Sequence, residues 1–412
     1  MKVLFVFGGL PHYLIPLLNK LNNVVGLEII VAIPEERSKT LGSGVYETGK
    51  DISFKVVRLK EFKSYYGKPA LKGLSRLIRS ERPDAMVLGW PYVLALLFYP
   101  VLFFTCKKNK VKLINRDIPF NVPKYSEAWQ YYKSNSMELE HDDEQKKENG
   151  FFTSLKYAFV TLSRKCYFNM VDAHVFYSPI GIETYESYGV KRKDMFVTYN
   201  SLDTDTLLKI NEQITLEPSI LAPNAHRLIH VGRLVKWKKV DMLIEAFAKL
   251  KVKFSDAELV IVGDGPELVY LKKLAKDLNV EQDVLFIGAI YDSMLLGRYL
   301  QCSSIYVLAG MGGLSINEAM CFGKPIVCSI ADGTERDLVI EGKNGRYFKR
   351  GNAEDLYKKL DELLSHPDLV KQYGEYSLSI IRNKINLHTV VEGFLTAFNT
   401  ITESKYSLRY FR

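Results

Sequence analysis

The sequence predicts an α/β protein built from two doubly wound, Rossmann-like domains, and three observations carry that expectation. Short β-branched runs alternate with amphipathic helical stretches in both halves, which implies mostly parallel sheets covered on both faces. With 412 residues the chain is too long for one ordinary core. Between Asp203 and His226, Pro218, Pro223 and several polar residues interrupt the alternation.

Taken in order, strands are expected over residues 3–7, 27–32, 54–57, 85–88, 111–115 and 173–177, with helices such as 13–21 and 71–79 between them. The opening apolar run has the look of a signal peptide. It is short, however, and ends in Gly8-Gly9 with no small-residue cleavage site, so it reads as a first strand. Residues 85–106 approach membrane-spanning length. Gly89-Trp90-Pro91 and Pro100 interrupt them, so a buried strand followed by an apolar helix over 92–105 is expected instead of a span. Residues 125–150 are polar and without period, and read as a mobile insertion ahead of an aromatic helix over 151–170.

The alternation resumes after Asp203. Strands are expected over 227–231, 258–262, 284–287, 305–308 and 325–328, and helices over 240–250, 267–278, 315–322 and 353–364. The domains therefore read as 1–205 and 206–385, followed by a C-terminal helix and tail over 386–412. The basic, aromatic end from 405 to 412 suits a frayed terminus or a weak lipid contact.

Hydrophobic residues at 47% and charged residues at 25% describe a globular chain, not a disordered one. The formal charge of +9 favours anionic partners such as nucleotides or phospholipid surfaces. Basic residues are scattered along the chain and form no stripe, so nucleic acid is not an expected partner. Five cysteines form no Cys-x-x-Cys pair and mostly sit in apolar runs; reduced, buried thiols in a cytoplasmic protein are expected.

The chemistry concentrates in glycine-rich turns between a strand and a helix. Gly310-Met311-Gly312-Gly313-Leu314-Ser315 precedes a short helix that carries Glu318 one turn in. Glycines let backbone N–H groups approach an anion, and a helix N-terminus adds about half a positive charge. A carboxylate at 318 can accept two hydrogen bonds from a ribose diol. Upstream, Gly232-Arg233-Leu234 and Lys238 follow a strand, where doubly wound sheets bind ligands. Arg233 suits bidentate phosphate contact and Lys238 a point charge, with a solvated basic turn as the plainer alternative, the role expected of Lys236 and Lys239. Together these features point to a nucleoside diphosphate ligand, a sugar nucleotide above all.

Other motifs weigh less. Gly263-Asp264-Gly265-Pro266-Glu267 is a tight turn with a structural role. Gly8-Gly9 closes the first strand, either as a plain turn or as backbone that approaches a diphosphate; His12 beyond it is a candidate site residue. Asp203-Thr204-Asp205 mimics a metal motif but lacks a third ligand, so helix capping is expected and no metal site. No Walker A, His-Glu-x-x-His or Gly-x-Ser-x-Gly pattern occurs.

Gly232-Arg233-Leu234…Lys238…Asp241, Val262-Gly263-Asp264-Gly265-Pro266-Glu267 and Gly313-Leu314…Glu318-Ala319-Met320…Gly323-Lys324-Pro325 resemble the C-terminal domain of retaining family-4 glycosyltransferases. The resemblance is specific over residues 227–365 and extends to the first half only in layout. It implies the GT-B fold: two Rossmann-like domains facing across a cleft, with a C-terminal helix crossing back. It implies that Arg233 and Lys238 hold the donor diphosphate, that Gly312, Gly313, Leu314 and Ser315 meet the phosphates or donor sugar, and that Glu318 meets the ribose. Gly8 and Gly9 would face the diphosphate from the first domain, and the backbone near Ile290 the base.

Two departures stand out. The family's acidic residue eight positions before Glu318 is Gly310 here, as in a subset with a Gly-x-x-Gly-Leu-Ser/Thr turn. The usual histidine after the fourth strand is absent, and Leu88-Gly89-Trp90-Pro91 occupies its region. Trp90, His12, Arg116 and Asp117 are candidates for the acceptor side.

The expected function is metal-independent, retaining transfer of a sugar from a nucleoside diphosphate to a hydroxyl of a saccharide or lipid-linked saccharide, at the inner membrane face, with no further cofactor. A non-catalytic sugar-nucleotide binder and a sugar-nucleotide epimerase remain alternatives. A nicotinamide enzyme lacks its Gly-x-Gly-x-x-Gly after the first strand.

Overall fold

The computed structural model describes residues 1–36, 38, 51–134, 151–330, 333–403 and 406. The chain divides into two compact units. One comprises Met1–Tyr199 with His388–Arg412, the other Asn200–Leu387.

In the first unit, strands β1 (Lys2–Val6), β2 (Glu28–Pro34), β3 (Lys55–Leu59), β4 (Glu61–Lys63), β5 (Pro69–Leu71), β6 (Ala85–Gly89), β7 (Lys112–Asp117), β8 (Ala173–Phe176) and β9 (Met195–Val197) follow in sequence. Seven of them form one sheet in the order β3-β2-β1-β6-β7-β8-β9, and β4 and β5 pair as a separate hairpin. Every pairing within the large sheet is parallel. Its central strands are buried on both faces, which is why they read as unbroken apolar runs and not as alternating ones. The Leu387–Thr402 helix lays Phe394 and Phe398 edge-on against Phe5 of β1, at 5.8 and 6.5 Å.

The second unit carries β10 (Arg227–Val231), β11 (Glu258–Val262), β12 (Val284–Gly288), β13 (Ile305–Leu308), β14 (Ile326–Cys328) and β15 (Gly345–Tyr347), in the order β12-β11-β10-β13-β14-β15, all parallel. At the entry to β10, Arg227 is almost fully buried. Its guanidinium pairs with Glu258 at 2.7 Å and donates to the carbonyls of Cys302 and Ala222 at 2.8 Å each. A buried cation with each of its three nitrogens engaged locks the strand entry, and removing its partner would leave an uncompensated charge.

Three sequence expectations need correction. The apolar helix over 92–105 is two helices, Leu94–Phe98 and Pro100–Lys108, because Pro100 cannot continue the first and starts the second. The segment 125–150 is not structureless throughout: Ala128–Ser134 is helical, and 135–150 lie outside the described residues. Cys106, Cys321 and Cys328 are buried, but Cys166 is exposed. The expected tail, apart from Tyr406, also lies outside the described residues. Among the described residues no helix is long and apolar enough to cross a membrane.

Candidate functional site

The strand order of the second sheet locates its site. From β10 the chain builds outward through β11 and β12, then returns to β13 on the other side of β10. The carboxyl ends of β10 and β13 therefore bound a topological switch point, where two neighbouring loops diverge and leave a crevice. Gly232-Arg233 leave β10 there, and the Gly310–Ser315 turn follows β13.

The β10 loop is held rigidly. Gly232 N–H donates to Val262 O at 3.0 Å, Leu234 N–H to Asp264 O at 2.9 Å, and Glu267 N–H to Leu234 O at 3.0 Å. Backbone approaches backbone so closely that a Cβ on Gly263 would stand 1.8 Å from Gly232 O. The Gly263–Glu267 turn thus braces the Arg233 loop, a structural role. Arg233 itself is half-buried, with its guanidinium 5.6 Å from the centre of the Trp237 ring. Burial lowers its pKa, yet it stays a cation at neutral pH. Lys236 and Lys239 are exposed to solvent.

Lys238 links the two loops. Its Nζ lies 3.7 Å from the point where a Cβ on Gly232 would sit, and 2.8 Å from the corresponding point on Gly312. The Gly310 turn lies against the same segment: Met311 N–H donates to Trp237 O at 3.1 Å. A Cβ on Gly310 would stand 2.0 Å from that carbonyl oxygen. The absence of an acidic side chain at 310 thus has a local cause, since this backbone admits no side chain there.

Beyond Met311, the N–H groups of Gly312, Gly313, Leu314 and Ser315 meet no acceptor among the described residues. Gly313 is the N-cap of the Leu314–Cys321 helix and offers no side chain to cap it. Four successive uncapped amides beside an ammonium group form an anion cradle.

Glu318 stands on the second turn of that helix, half-buried. Burial pushes its carboxyl up to about 7, with no offsetting cation among the described residues. Such a carboxyl is poised between acceptor and donor at neutral pH. Tyr306 on β13, fully buried, donates its hydroxyl to Val231 O at 3.3 Å and braces the wall beside Ser315 and Glu318.

Three supporting residues were given no role by the sequence reading. His230, fully buried on β10, donates from Nδ1 to Val307 O at 3.0 Å; burial lowers its pKa to about 4, so the ring is neutral. Asn317 is completely buried and accepts from Leu202 N–H at 3.1 Å and Ser201 Oγ at 3.3 Å, while its amide donates to Ile385 O at 3.5 Å. It ties the segments that enter and leave the second unit to the helix bearing Glu318. Lys324 donates to the carbonyls of Ser303 at 2.7 Å and Gln301 at 3.3 Å, which caps the Ser293–Gln301 helix. Lys324 stands in the Gly323-Lys324-Pro325 motif, but the role of each of the three depends on a partner far along the chain, which no local spacing reveals.

Arg233, Lys238, Gly312, Gly313, Leu314, Ser315 and Glu318 are thus all carried by the loops and the helix that leave the adjacent strands β10 and β13. Ile290 follows β12, on the same edge of the sheet but two strands from β10.

The remaining candidates belong to the first unit. Gly8 and Gly9 follow β1, Trp90 follows β6, and Arg116 and Asp117 end β7, three adjacent strands around the first sheet's own switch point. Trp90 is 42% exposed, and Lys68 Nζ and the Arg164 guanidinium each lie 5.8 Å from its ring centre. Arg116 is held between the rings of Phe7, at 5.5 Å, and Tyr177, at 4.9 Å. Asp117 accepts from Tyr185 Oη at 2.9 Å and Ile118 N–H at 2.8 Å, and burial raises its pKa. His12 is exposed and meets Tyr13 edge-on at 5.6 Å. Asp203 caps the Thr204–Ile214 helix by accepting from Thr206 N–H at 3.4 Å, and it also accepts from Thr206 Oγ1 at 2.8 Å. Among the described residues no group of three or more His, Cys, Asp or Glu could hold a metal ion.

An uncharacterized glycosyltransferase of Methanocaldococcus jannaschii is 29% identical over 261 residues, 62% of this chain and 65% of that protein. The N-acetylgalactosamine-N,N'-diacetylbacillosaminyl-diphospho-undecaprenol 4-alpha-N-acetylgalactosaminyltransferase of Campylobacter jejuni is 27% identical over 191 residues, 46% of this chain and 49% of that one. The chain thus matches less than two thirds of the length of these curated relatives. The structure of Anabaena HepE in complex with UDP superposes with a TM-score of 0.63 at 16% identity, covering 97% of this chain and 100% of that one. The chain has the GT-B fold, and over residues 214–379 its second unit matches the family of glycosyl transferases group 1.

Proposed function

We propose that the protein is a retaining glycosyltransferase. It moves a sugar from a nucleoside diphosphate donor to a hydroxyl of a saccharide or lipid-linked saccharide in cell-surface polysaccharide or glycolipid synthesis. The observation that carries this reading is the cradle of Lys238 Nζ and the four amides from Gly312 to Ser315 at the β10–β13 switch point. The named acceptor of the Campylobacter jejuni relative, a diphospho-undecaprenol saccharide, supports the lipid-linked class.

Breaking the anomeric bond leaves negative charge on the departing diphosphate. Lys238, Arg233 and the helix N-terminus stabilise that charge, and because they are already oriented they need no reorganisation at the moment of reaction. These fixed charges perform the task a divalent cation performs elsewhere, so turnover should survive EDTA. On the retaining pathway the leaving phosphate oxygen accepts the acceptor's proton on the same face, and no protein base is required. Glu318 takes the ribose diol in its ionised form. Gly310 leaves no carboxylate for the donor sugar, so backbone groups of the 310–313 turn recognise its hydroxyls. Gly8 and Gly9 belong to the diphosphate side, Ile290 to the base, and Trp90, His12, Arg116 and Asp117 to the acceptor. A peripheral contact with an anionic membrane completes the reading.

A thermal-shift screen against UDP-, GDP- and ADP-sugars, followed by product analysis with and without acceptor, tests it. A donor that raises the melting temperature and yields a new α-linked product with acceptor supports the transferase. Conversion of the free sugar nucleotide without acceptor would instead establish an epimerase, and binding without turnover a non-catalytic binder.

A further inference from the structure

We propose that a groove on the first unit, remote in sequence from the candidate donor residues, is a docking site for anionic phospholipid of a membrane surface. The proposal deepens the membrane part of the functional reading and rests on that part alone.

The groove has a volume of about 740 Å³ and lies between the β4–β5 hairpin and the helices Leu74–Glu81 and Pro100–Lys108. Its floor is apolar, formed by Leu71, Leu74, Leu77, Tyr99 and Leu102. Its rim carries Lys60, Lys72, Arg76 and Arg79 against one acid, Glu35. All four cations are exposed, and none makes an ion pair among the described residues. Four unneutralised cations around an apolar floor complement a lipid in both its parts, the phosphate headgroup and the upper acyl chain.

The surface beside the groove fits the same occupant. Val101, which also lines the groove, is 69% exposed, and Phe104 one turn further along its helix is 66% exposed. Tyr65, at the turn of the hairpin, is 73% exposed and meets the rings of Phe98 and Tyr99 at 6.2 and 5.7 Å. Phe62 packs edge-on against Tyr99 at 6.0 Å. Exposed aromatic and aliphatic side chains grouped on one face, flanked by Lys107 and Lys108, are costly in water and favourable at the headgroup–acyl boundary.

Flotation of the full chain with vesicles of phosphatidylcholine alone, and of phosphatidylcholine mixed with phosphatidylglycerol, tests the proposal. The chain should float with the mixed vesicles, stay behind with the neutral ones, and be released as salt is raised, because screening weakens surface attraction. The double variant Lys72→Glu/Arg76→Glu should lower the bound fraction at least tenfold, and the milder Lys72→Gln/Arg76→Gln should lower it less. Val101→Ser/Phe104→Ser should weaken binding to the mixed vesicles as well. Melting temperature and sugar transfer to a water-soluble acceptor should be unchanged in each, since none of these residues belongs to the donor machinery. Failure of the wild-type chain to float, equal flotation with neutral vesicles, or unchanged flotation of both charge variants would overturn the proposal. So would a solution dimer that Val101→Ser/Phe104→Ser dissolves, because a second copy would then cover this face. Retained soluble transfer alongside lost flotation overturns the groove alone, whereas absent transfer with intact flotation overturns the enzymatic reading alone.

Discussion

The two sheets share one architecture, yet the crevices at their switch points differ in chemistry. Around β10 and β13 the loops carry cations and glycines: Lys238 lies between Gly232 and Gly312, and four amides point to no protein acceptor among the described residues. Around β1, β6 and β7 the corresponding positions carry rings and a half-buried acid, with Arg116 clasped by Phe7 and Tyr177 and Asp117 engaged by Tyr185. A doubly wound sheet therefore fixes where a ligand can sit, while the loop residues fix which ligand. On the proposed reading the second unit takes a diphosphate. The first offers aromatic faces with cations lying over them, which suit a sugar ring or an uncharged acceptor.

The sharpest way to break this contrast is to remove a cation. Lys238→Ala should lower turnover about 100- to 1,000-fold, the scale of losing one preoriented charge-stabilising group. Steady-state kinetics with a saturating sugar nucleotide measures it, and Arg233→Ala should follow the same direction.

Next in size is backbone packing. Gly310→Ala forces a Cβ against Trp237 O at 2.0 Å and should destabilise the second unit by about 1–3 kcal/mol, read by urea unfolding. Gly89→Ala in the first unit meets Arg116 O at 2.9 Å and should cost less, because the overlap is smaller. Equal costs would mean that the 310 turn is less tightly braced than its contacts indicate.

A third effect depends on pH. The carboxyl of Glu318 is pushed up to about 7 by burial. Its folded pKa exceeds the ordinary carboxyl value, so the stability it permits is complete in acid and declines as pH rises through 7. Glu318→Gln should therefore raise the melting temperature at pH 8 and leave it nearly unchanged at pH 4, with each kcal/mol relieved worth about 2–4 °C. Nucleotide affinity should move the other way in the wild type, tightening as pH rises through 7 and the carboxylate forms. That affinity trend should vanish in the variant.

The smallest expected change is on the other side of the comparison. Arg116→Ala should leave sugar-nucleotide affinity within about twofold, a difference of less than 1 kcal/mol, while raising the KM for acceptor. A loss of nucleotide affinity equal to that of Lys238→Ala would erase the distinction between the two crevices.

Much of the second unit was legible because its strands are β-branched runs closed by glycine or a polar turn. β10, β11 and β13 fall on the expected residues. Shorter or more polar elements gave no such signal. β15 has only Gly-Arg-Tyr, and the β4–β5 hairpin pairs three-residue strands whose order comes from Ser64 and Lys68 closing the turn. The Ser293–Gln301 helix could have been found, since Asp292 caps it by accepting from Leu295 N–H at 2.7 Å. The location of Arg233, Lys238 and Glu318 followed from strand–turn–helix order alone. Why position 310 holds glycine did not, because the obstructing carbonyl belongs to Trp237, more than seventy residues earlier. His230, Asn317 and the groove beside Arg76 were hidden for the same reason: long-range packing creates them, and no local spacing announces it.

The central claim is that the β10–β13 crevice of the second unit binds a pyrophosphate. Calorimetric titration of UDP into the wild type, Lys238→Ala and Arg116→Ala tests it most directly, with GDP and ADP as alternates for the base. The account predicts saturable binding to the wild type and to Arg116→Ala, and affinity at least tenfold weaker in Lys238→Ala, a change of about 1.4 kcal/mol or more. Binding to Lys238→Ala as tight as to the wild type would contradict it.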